Sequence, residues 1–328
     1  MAALKDIAAE LNLSVSVVSR ALNPSPDTHA RVSEETRRKV QETASRLGFR
    51  RNRNAEFMKR HRSPAIGVFL PEITDSLIAN LIFGISEEAA YADFPLCIHT
   101  GWNEQSFLDF IQENMERAAS GIIAYSAQQY RHPELQHLLT QYCRDGGKLL
   151  LLNDCTVDEY PSLCMDEQAG GSAAADLLLQ SGCSAFRCLC PGLIGDDKSL
   201  RALRWNGFRQ RLEQCGRTAS ADPDLNTTVD FLHRNPGCGI FCTSDAVALQ
   251  LLRLARESGL ETPRDYKLVG YDNAEWTAGL DISSIHQPFR EEGRRAAVKL
   301  IRMIYGHSED SELLTPTAIC RGSTPCPE

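Results

Sequence analysis

The chain has 328 residues, 42% hydrophobic and 24% charged, with a net charge of −8. This is the make-up of a soluble globular protein, long enough for two or three compact units. No stretch approaches eighteen uncharged apolar residues, and the opening MAALKDIAAE lacks a signal peptide's apolar core, so a cytoplasmic protein is expected. With no export signal, the twelve cysteines are expected to be reduced. Cys188 and Cys190 share an apolar run and Cys238 and Cys242 lie four apart; neither pair makes the double CxxC of a zinc site, and buried small hydrophobes are expected. The charge is unevenly spread. Residues 1–62 hold thirteen Lys and Arg against seven Asp and Glu, a net +6, which leaves −14 for the rest. A basic end on an acidic body is the electrostatic footprint of a nucleic-acid-binding head.

In chain order, Leu4, Ile7, Ala8 and Leu11 fall on one helix face. Asn-Leu-Ser interrupts that pattern, and Ser14 can cap a second short helix, Val15 to Ala21, whose Val18, Ala21 and Leu22 turn inward. Asn-Pro-Ser-Pro ends it, because proline cannot continue a helix. A third helix is expected from Ser33, with Glu34 and Glu35 in the first turn and Arg46 near the end, both suited to the helix dipole, and Gly48 as the stop. Two short helices joined by a tight turn and followed by a third make a helix-turn-helix arrangement. Its second helix would offer Val15, Ser16, Ser19 and Arg20 to base edges: valine to a thymine methyl, serine to base or phosphate, arginine to guanine in bidentate fashion. An ordinary three-helix bundle with a polar face fits the same composition. The segment GFRRNRNAEFMKRHRSP (48–64) carries five arginines and a lysine, and reads either as a solvated linker or as a segment that meets DNA.

From residue 64 apolar strands alternate with amphipathic helices. AIGVFL, PLCI, GIIAY and KLLLL are separated by helices near 76–92, 104–118 and 134–145. The rhythm resumes with a helix at 168–181, FRCLC, a helix near 200–214, CGIFC, a helix at 245–258 and YKLVGY. Apolar strands alternating with helices imply parallel sheets covered on both faces, and two such runs imply two doubly wound lobes. Ligands in such folds bind at the carboxyl ends of strands, here expected across a cleft between the lobes. No Gly-rich phosphate loop, GxSxG or HExxH occurs, and the eight histidines are scattered. No enzymatic activity, metal or cofactor is therefore expected.

The sequences LKDIAAELNLSVSVVSRALN and RVSEETRRKVQETASRLGF resemble the head of the lactose-repressor (LacI/GalR) family of bacterial transcription regulators. Asp6, Ser14, Val18, Ser19, Arg20, Leu22, Asn23, Val32, Ser33, Thr36, Arg37 and Gly48 stand at matching positions. Ala3 replaces a usual capping threonine, and Val17 a threonine that often touches phosphate. The resemblance runs on through the body in GIIAY, MDEQAGGSAAADLLLQSG, RWNGFRQRL, FCTSDAVALQLL, KLVGYDN and ISSIHQPFREEGRRAAVKLI. It implies a helix-turn-helix head (1–48), a basic hinge (49–63) and a two-lobed periplasmic-binding-protein-like core (64–328). Lobe 1 would be about 64–157 plus 288–312, and lobe 2 about 158–287 plus 313–328.

For function, the resemblance implies a regulator, expected to be a repressor, that binds a pseudo-palindromic operator as a homodimer in the bacterial cytoplasm, at the nucleoid. It would respond to a small effector, usually a sugar or sugar derivative and in a minority of members a nucleobase or nucleoside. Ser14 and Asn23 join the DNA-reading set, and in the hinge Asn52 and Met58 match, with Met58 the minor-groove wedge where leucine is usual. Carried over position by position, the effector pocket takes Asp166, Arg204, Asp272 and Gln287. Ser244 stands where asparagine is common. PEITDSLIAN places Asp75 where the family has ligand-stacking aromatics, with Trp276 an alternative stacking face or else a buried anchor. A solute-binding or sugar-processing protein with an incidental basic head is the competing reading.

Overall fold

The structure is a computed structural model that describes residues 3–22, 32–49, 57, 61–71, 76–101, 103–125, 133–153, 159–191 and 199–325. The head contains α1 (Leu4–Leu11), α2 (Val15–Ala21) and α3 (Glu34–Arg46). Each begins where its capping chemistry stands. The Asp6 carboxylate accepts from the Ala3 amide at 2.7 Å, which gives α1 a cap without the usual threonine. Ser14 Oγ accepts from the Val17 amide at 3.3 Å, and Ser33 Oγ from the Thr36 amide at 3.2 Å. Asn12 turns the chain between α1 and α2 in the left-handed region (φ 52°), which asparagine tolerates. Ile7, Ala8, Val18, Ala21, Val40 and Ala44 form the buried core of these helices.

The body runs β1 (Ser63–Leu70), α4 (Ser76–Tyr91), β2 (Leu96–Thr100), α5 (Glu104–Glu116), β3 (Ala119–Tyr125), α6 (Pro133–Arg144), β4 (Lys148–Leu152) and β5 (Ser162–Met165). It continues with α7 (Glu167–Gln180), β6 (Phe186–Leu189), α8 (Leu200–Gln214), β7 (Ala219–Asp222), α9 (Leu225–Arg234), β8 (Cys238–Cys242), α10 (Asp245–Glu257) and β9 (Tyr266–Asp272). Last come α11 (Glu275–Gly279), β10 (Ser283–His286), α12 (Phe289–Ile304), β11 (Glu312–Leu314) and β12 (Thr317–Ile319).

Two compact units divide this body. The first holds Ile78–Leu163 and Arg290–Glu312 with the N-terminal part of the chain; the second holds Cys164–Phe289 and the chain from Leu313. The first contains a sheet of order β11-β5-β4-β3-β1-β2, in which β1, β2, β3, β4 and β5 pair in parallel. Phe69, Phe107, Phe110, Ile122, Leu139, Tyr142 and Leu151 pack on one of its faces.

The second unit's sheet has the order β12-β10-β9-β8-β6-β7, parallel except for β12, which runs antiparallel to β10. Strand alternation splits its core in two. Cys188, Phe241, Val269 and Tyr271 pack with α7 and α8, while Leu189, Ile240, Cys242 and Leu268 pack with α9 and α10. The near-continuous apolar strands follow from burial on both faces, as the sequence predicts for a doubly wound fold.

Nine described cysteines carry free thiols. Burial pushes Cys183 up to about 11 and Cys238 up to about 12, so both stay protonated and behave as small hydrophobes. Cys164 is the exception to the expectation of reduced thiols, since it is disulfide-bonded. No helix among the described residues is long and apolar enough to cross a membrane.

Candidate nucleic-acid interface and effector site

On α2 the inward positions are Val18 and Ala21, at 0% and 2% exposure. Helical spacing therefore turns Ser14, Val15, Ser16 and Ser19 outward, and all four are exposed. Val15, a large apolar residue, is 47% exposed. Arg20 lies along the helix and donates from Nε to the Ser16 carbonyl at 3.1 Å and from Nη2 to Ser16 Oγ at 3.2 Å. These are local bonds on an exposed surface, so a rotamer change frees the guanidinium at little cost. The second helix thus presents a small polar face with one cation and one bare methyl pair. Asn23, Asn52 and Met58 lie outside the described residues.

The second unit holds a different cluster, and two glycines position it. A Cβ on Gly171 would fall 1.9 Å from the Arg204 carbonyl, and one on Gly207 would fall 2.0 Å from the Gln168 carbonyl. Without side chains there, α7 and α8 meet backbone to backbone, and Glu167 on α7 comes within reach of Arg204 on α8. Arg204 Nε donates to Glu167 Oε2 at 2.7 Å and Nη2 to Oε1 at 2.9 Å, a bidentate pair. Nη1 donates to the Thr243 carbonyl at 2.8 Å. The guanidinium also lies 3.9 Å over the Tyr271 ring, whose hydroxyl donates to Glu167 Oε2 at 2.6 Å. Arg204 is 8% and Glu167 2% exposed, so this is a buried, closed set of charges. Burial opposes the charge on Arg204, but the Glu167 carboxylate more than offsets it and holds the guanidinium above its ordinary pKa. Burial and the adjacent Glu167 carboxylate hold the Tyr271 phenol protonated.

Asp272, at the end of β9, is the open member. Its side chain is 17% exposed, and Oδ1 stands 3.9 Å from Arg204 Nη1. Gln287 Nε2 donates to the same Oδ1 at 2.6 Å. Among the described residues, no protein donor is within hydrogen-bond range of Oδ2. Burial, reinforced by the nearby Asp245 carboxylate, raises the Asp272 carboxyl to about 7 despite Arg204 and Gln287.

The turn that carries Asp272 is strained, with Asp272 at φ 111° and Asn273 at φ 55°. Three side chains, of Asp245, Ser284 and Arg321, hold it. Asp245 accepts from the Ala274 amide and from Ser284 Oγ, each at 2.7 Å; Ser284 Oγ accepts from the Asn273 amide at 3.0 Å; Arg321 donates to Asn273 Oδ1 at 2.7 Å. Asp245 is 1% exposed, and burial raises its carboxyl to about 6.

The structure therefore joins Arg204, Asp272 and Gln287 in one network. Asp166 and Ser244 sit at its edges as helix caps, accepting from the Ala169 amide at 2.9 Å and the Val247 amide at 3.3 Å. Asp75 lies outside the described residues. Trp276 is 39% exposed, which excludes the buried-anchor alternative. Sequence reasoning missed Glu167 and Tyr271. Both were visible beside Asp166 and Asp272, but nothing in the sequence signals that α7 and α8 touch until Gly171 and Gly207 are seen to face each other's backbone.

A separate trio on the first unit, Cys97 and His99 on β2 with Glu113 on α5, brings its ligand-type atoms within 4.8 Å of one another. Arg117 bridges Cys97 and Glu113, and His99 Nε2 lies 2.6 Å from Glu113, so the trio is satisfied within a polar network of its own.

A helix-turn-helix head and two mostly parallel sheets define a DNA-binding-type head joined to a periplasmic-binding-protein-like core. Residues 3–52 match the bacterial regulatory proteins of the lacI family, and residues 175–324 match the periplasmic binding protein-like domain. A lacI-type head and a periplasmic binding protein-like core are thus what the chain is similar to. It is 28% identical to the HTH-type transcriptional repressor CytR of Escherichia coli (strain K12), over 98% of this chain and 96% of that one. A lac repressor dimer bound to operator and the anti-inducer ONPF shares the fold at TM-score 0.67 and 21% identity, over 98% of this chain and 99% of that chain. So does a LacI family transcriptional regulator from Enterococcus faecium with bound ribose, at TM-score 0.67 and 20% identity, over 80% of this chain and all of that one.

Proposed function

We propose that this chain is a sequence-specific DNA-binding transcription regulator, a repressor rather than an enzyme, which binds its operator as a homodimer in the cytoplasm and is controlled by a small polyhydroxy effector. The observation that carries the reading is α2: a capped helix, packed by Val18 and Ala21, that turns Ser14, Val15, Ser16, Ser19 and Arg20 outward on the basic end of an acidic chain. Arginine there can grip guanine and valine can meet a thymine methyl. Two heads related by a two-fold axis reach successive major grooves, so the operator is pseudo-palindromic with half-sites about 10 base pairs apart. Asn23 and Asn52 add backbone or base contacts, and Met58 is the apolar wedge in the minor groove.

The effector is assigned to Asp272, Gln287 and Arg204, with Asp75, Asp166 and Ser244 around them. The ribose in the Enterococcus faecium regulator supports a sugar-like ligand, and the repressor name of the Escherichia coli relative supports repression. The ligand alters DNA affinity only through its different fit to two states of the core.

A gel-shift of the full chain against genomic fragments tests the reading. A specific complex that weakens steeply as salt rises is expected; binding that never exceeds bulk DNA overturns it. In the same assay Asp272→Ala should keep the DNA complex and lose effector response. Retained response refutes the pocket.

A further inference from the structure

Resting on the effector-site reading above, we propose that Glu167 sets the charge class of the effector. By neutralising Arg204 it leaves the Asp272 carboxyl as the site's open acidic group, so once Asp272 is ionised uncharged or cationic hydrogen-bond donors are accepted while acid sugars and sugar phosphates are rejected.

An arginine in a ligand site ordinarily attracts carboxylates and phosphates, because its planar fork matches two anionic oxygens. Here that fork is already taken. Glu167 occupies Nε and Nη2 at 2.7 and 2.9 Å, Thr243 takes an Nη1 proton at 2.8 Å, and the Tyr271 ring covers a guanidinium face at 3.9 Å. Glu167 is itself anchored by the Tyr271 hydroxyl at 2.6 Å, so the carboxylate is held on Arg204 from both sides. Glu167 is 2% exposed, and water cannot readily replace it.

An anion approaching the remaining guanidinium protons would meet Asp272, whose Oδ1 is 3.9 Å from Nη1. Like charges forced together in a partly buried site are strongly disfavoured. A hydroxyl or an amine, in contrast, can donate to Asp272 Oδ2 while Gln287 holds Oδ1 at 2.6 Å. Glu167 thus acts through Arg204, as a positioning and specificity-determining residue.

The test uses full-length protein and matched probes: ribose with ribose 5-phosphate, glucose with glucuronate, and adenosine with its 5′-monophosphate. Binding is followed by thermal shift and calorimetry at about pH 8, above the value of about 7 at which Asp272 ionises, for wild type and Glu167→Gln. Wild type should bind at least one neutral member and discriminate against its acidic partner by at least about tenfold. Glu167→Gln, which keeps the shape and an acceptor for Tyr271, should narrow that ratio by about tenfold or more by releasing Arg204. Circular dichroism and thermal unfolding establish that the variant folds.

Should it fail to fold, Asp272→Asn tests the same electrostatics by removing the repelling charge, with the same narrowing expected. An acidic member that binds wild type as tightly as its neutral partner overturns the proposal, as does an unchanged ratio in the folded variant. Silence of every probe with every variant overturns the effector-site reading beneath it.

Discussion

Asp272→Asn is expected to change how the second unit's stability depends on pH. The Asp272 carboxyl stands at about 7 in the folded chain against an ordinary 3.8. The folded state therefore favours the protonated form, and the stability this contributes is full below the unfolded value and lost as pH rises through the folded one. A rise of roughly three units corresponds to about 4 kcal/mol, lost between about pH 4 and pH 7. Asp245, raised to about 6, contributes with the same sign in both proteins, and the part of the difference that comes from its repulsion of Asp272 is lost together with the Asp272 charge. Asparagine keeps an oxygen for Gln287 to donate to and carries no charge, so its variant should lack the Asp272 share of the slope.

The assay is urea unfolding across that pH range in a Trp102→Phe background, where the fluorescence reports Trp205 and Trp276, both of the second unit. Near pH 4 the two proteins should converge. At about pH 8 the asparagine variant should be the more stable, by up to about 4 kcal/mol. Parallel curves for the two proteins would refute both the burial of Asp272 and the failure of Arg204 to neutralise it.

Two further substitutions probe the head and the helix contact. Arg20→Ala should cost about 1–3 kcal/mol on the preferred operator and relax the preference at one base position, with helix content unchanged, as read by competition binding and circular dichroism. Gly207→Val would drive a side chain into the Gln168 carbonyl, 2.0 Å from where its Cβ must lie. It should lower stability by about 2 kcal/mol or more and uncouple Glu167 from Arg204; thermal unfolding unchanged from wild type would count against the close helix contact.

The head was legible almost to the residue. Ser14 and Ser33 sit directly before the helices they cap, and Leu4, Ile7, Ala8, Val18 and Ala21 keep strict helical spacing, so local chemistry sets the boundaries. The apolar strands of the two sheets were equally plain, since burial on both faces leaves runs such as Cys238–Cys242 without a polar break. Less legible were the short or polar elements. β7 reads Ala-Ser-Ala-Asp, and α9 opens on Leu-Asn-Thr-Thr, residues with weak preferences whose structure depends on neighbouring strands and on the Asp224 cap.

For the effector cluster, family resemblance nominated Arg204, Asp272 and Gln287 but could not indicate that Arg204 would already be paired. That depends on Gly171 and Gly207, thirty-six positions apart, meeting across α7 and α8. Long-range backbone contact of this kind leaves no periodic trace in a sequence.

The central claim is that α2 reads operator sequence in a two-fold symmetric complex. A nuclease footprint of wild type and Arg20→Ala on a fragment selected from genomic DNA tests it most directly. The expected result is a protected, near-palindromic site with half-site centres about one helical turn apart, markedly weakened in the variant while bulk DNA binding persists. Asymmetric protection, or a footprint that Arg20→Ala leaves unchanged, would contradict it.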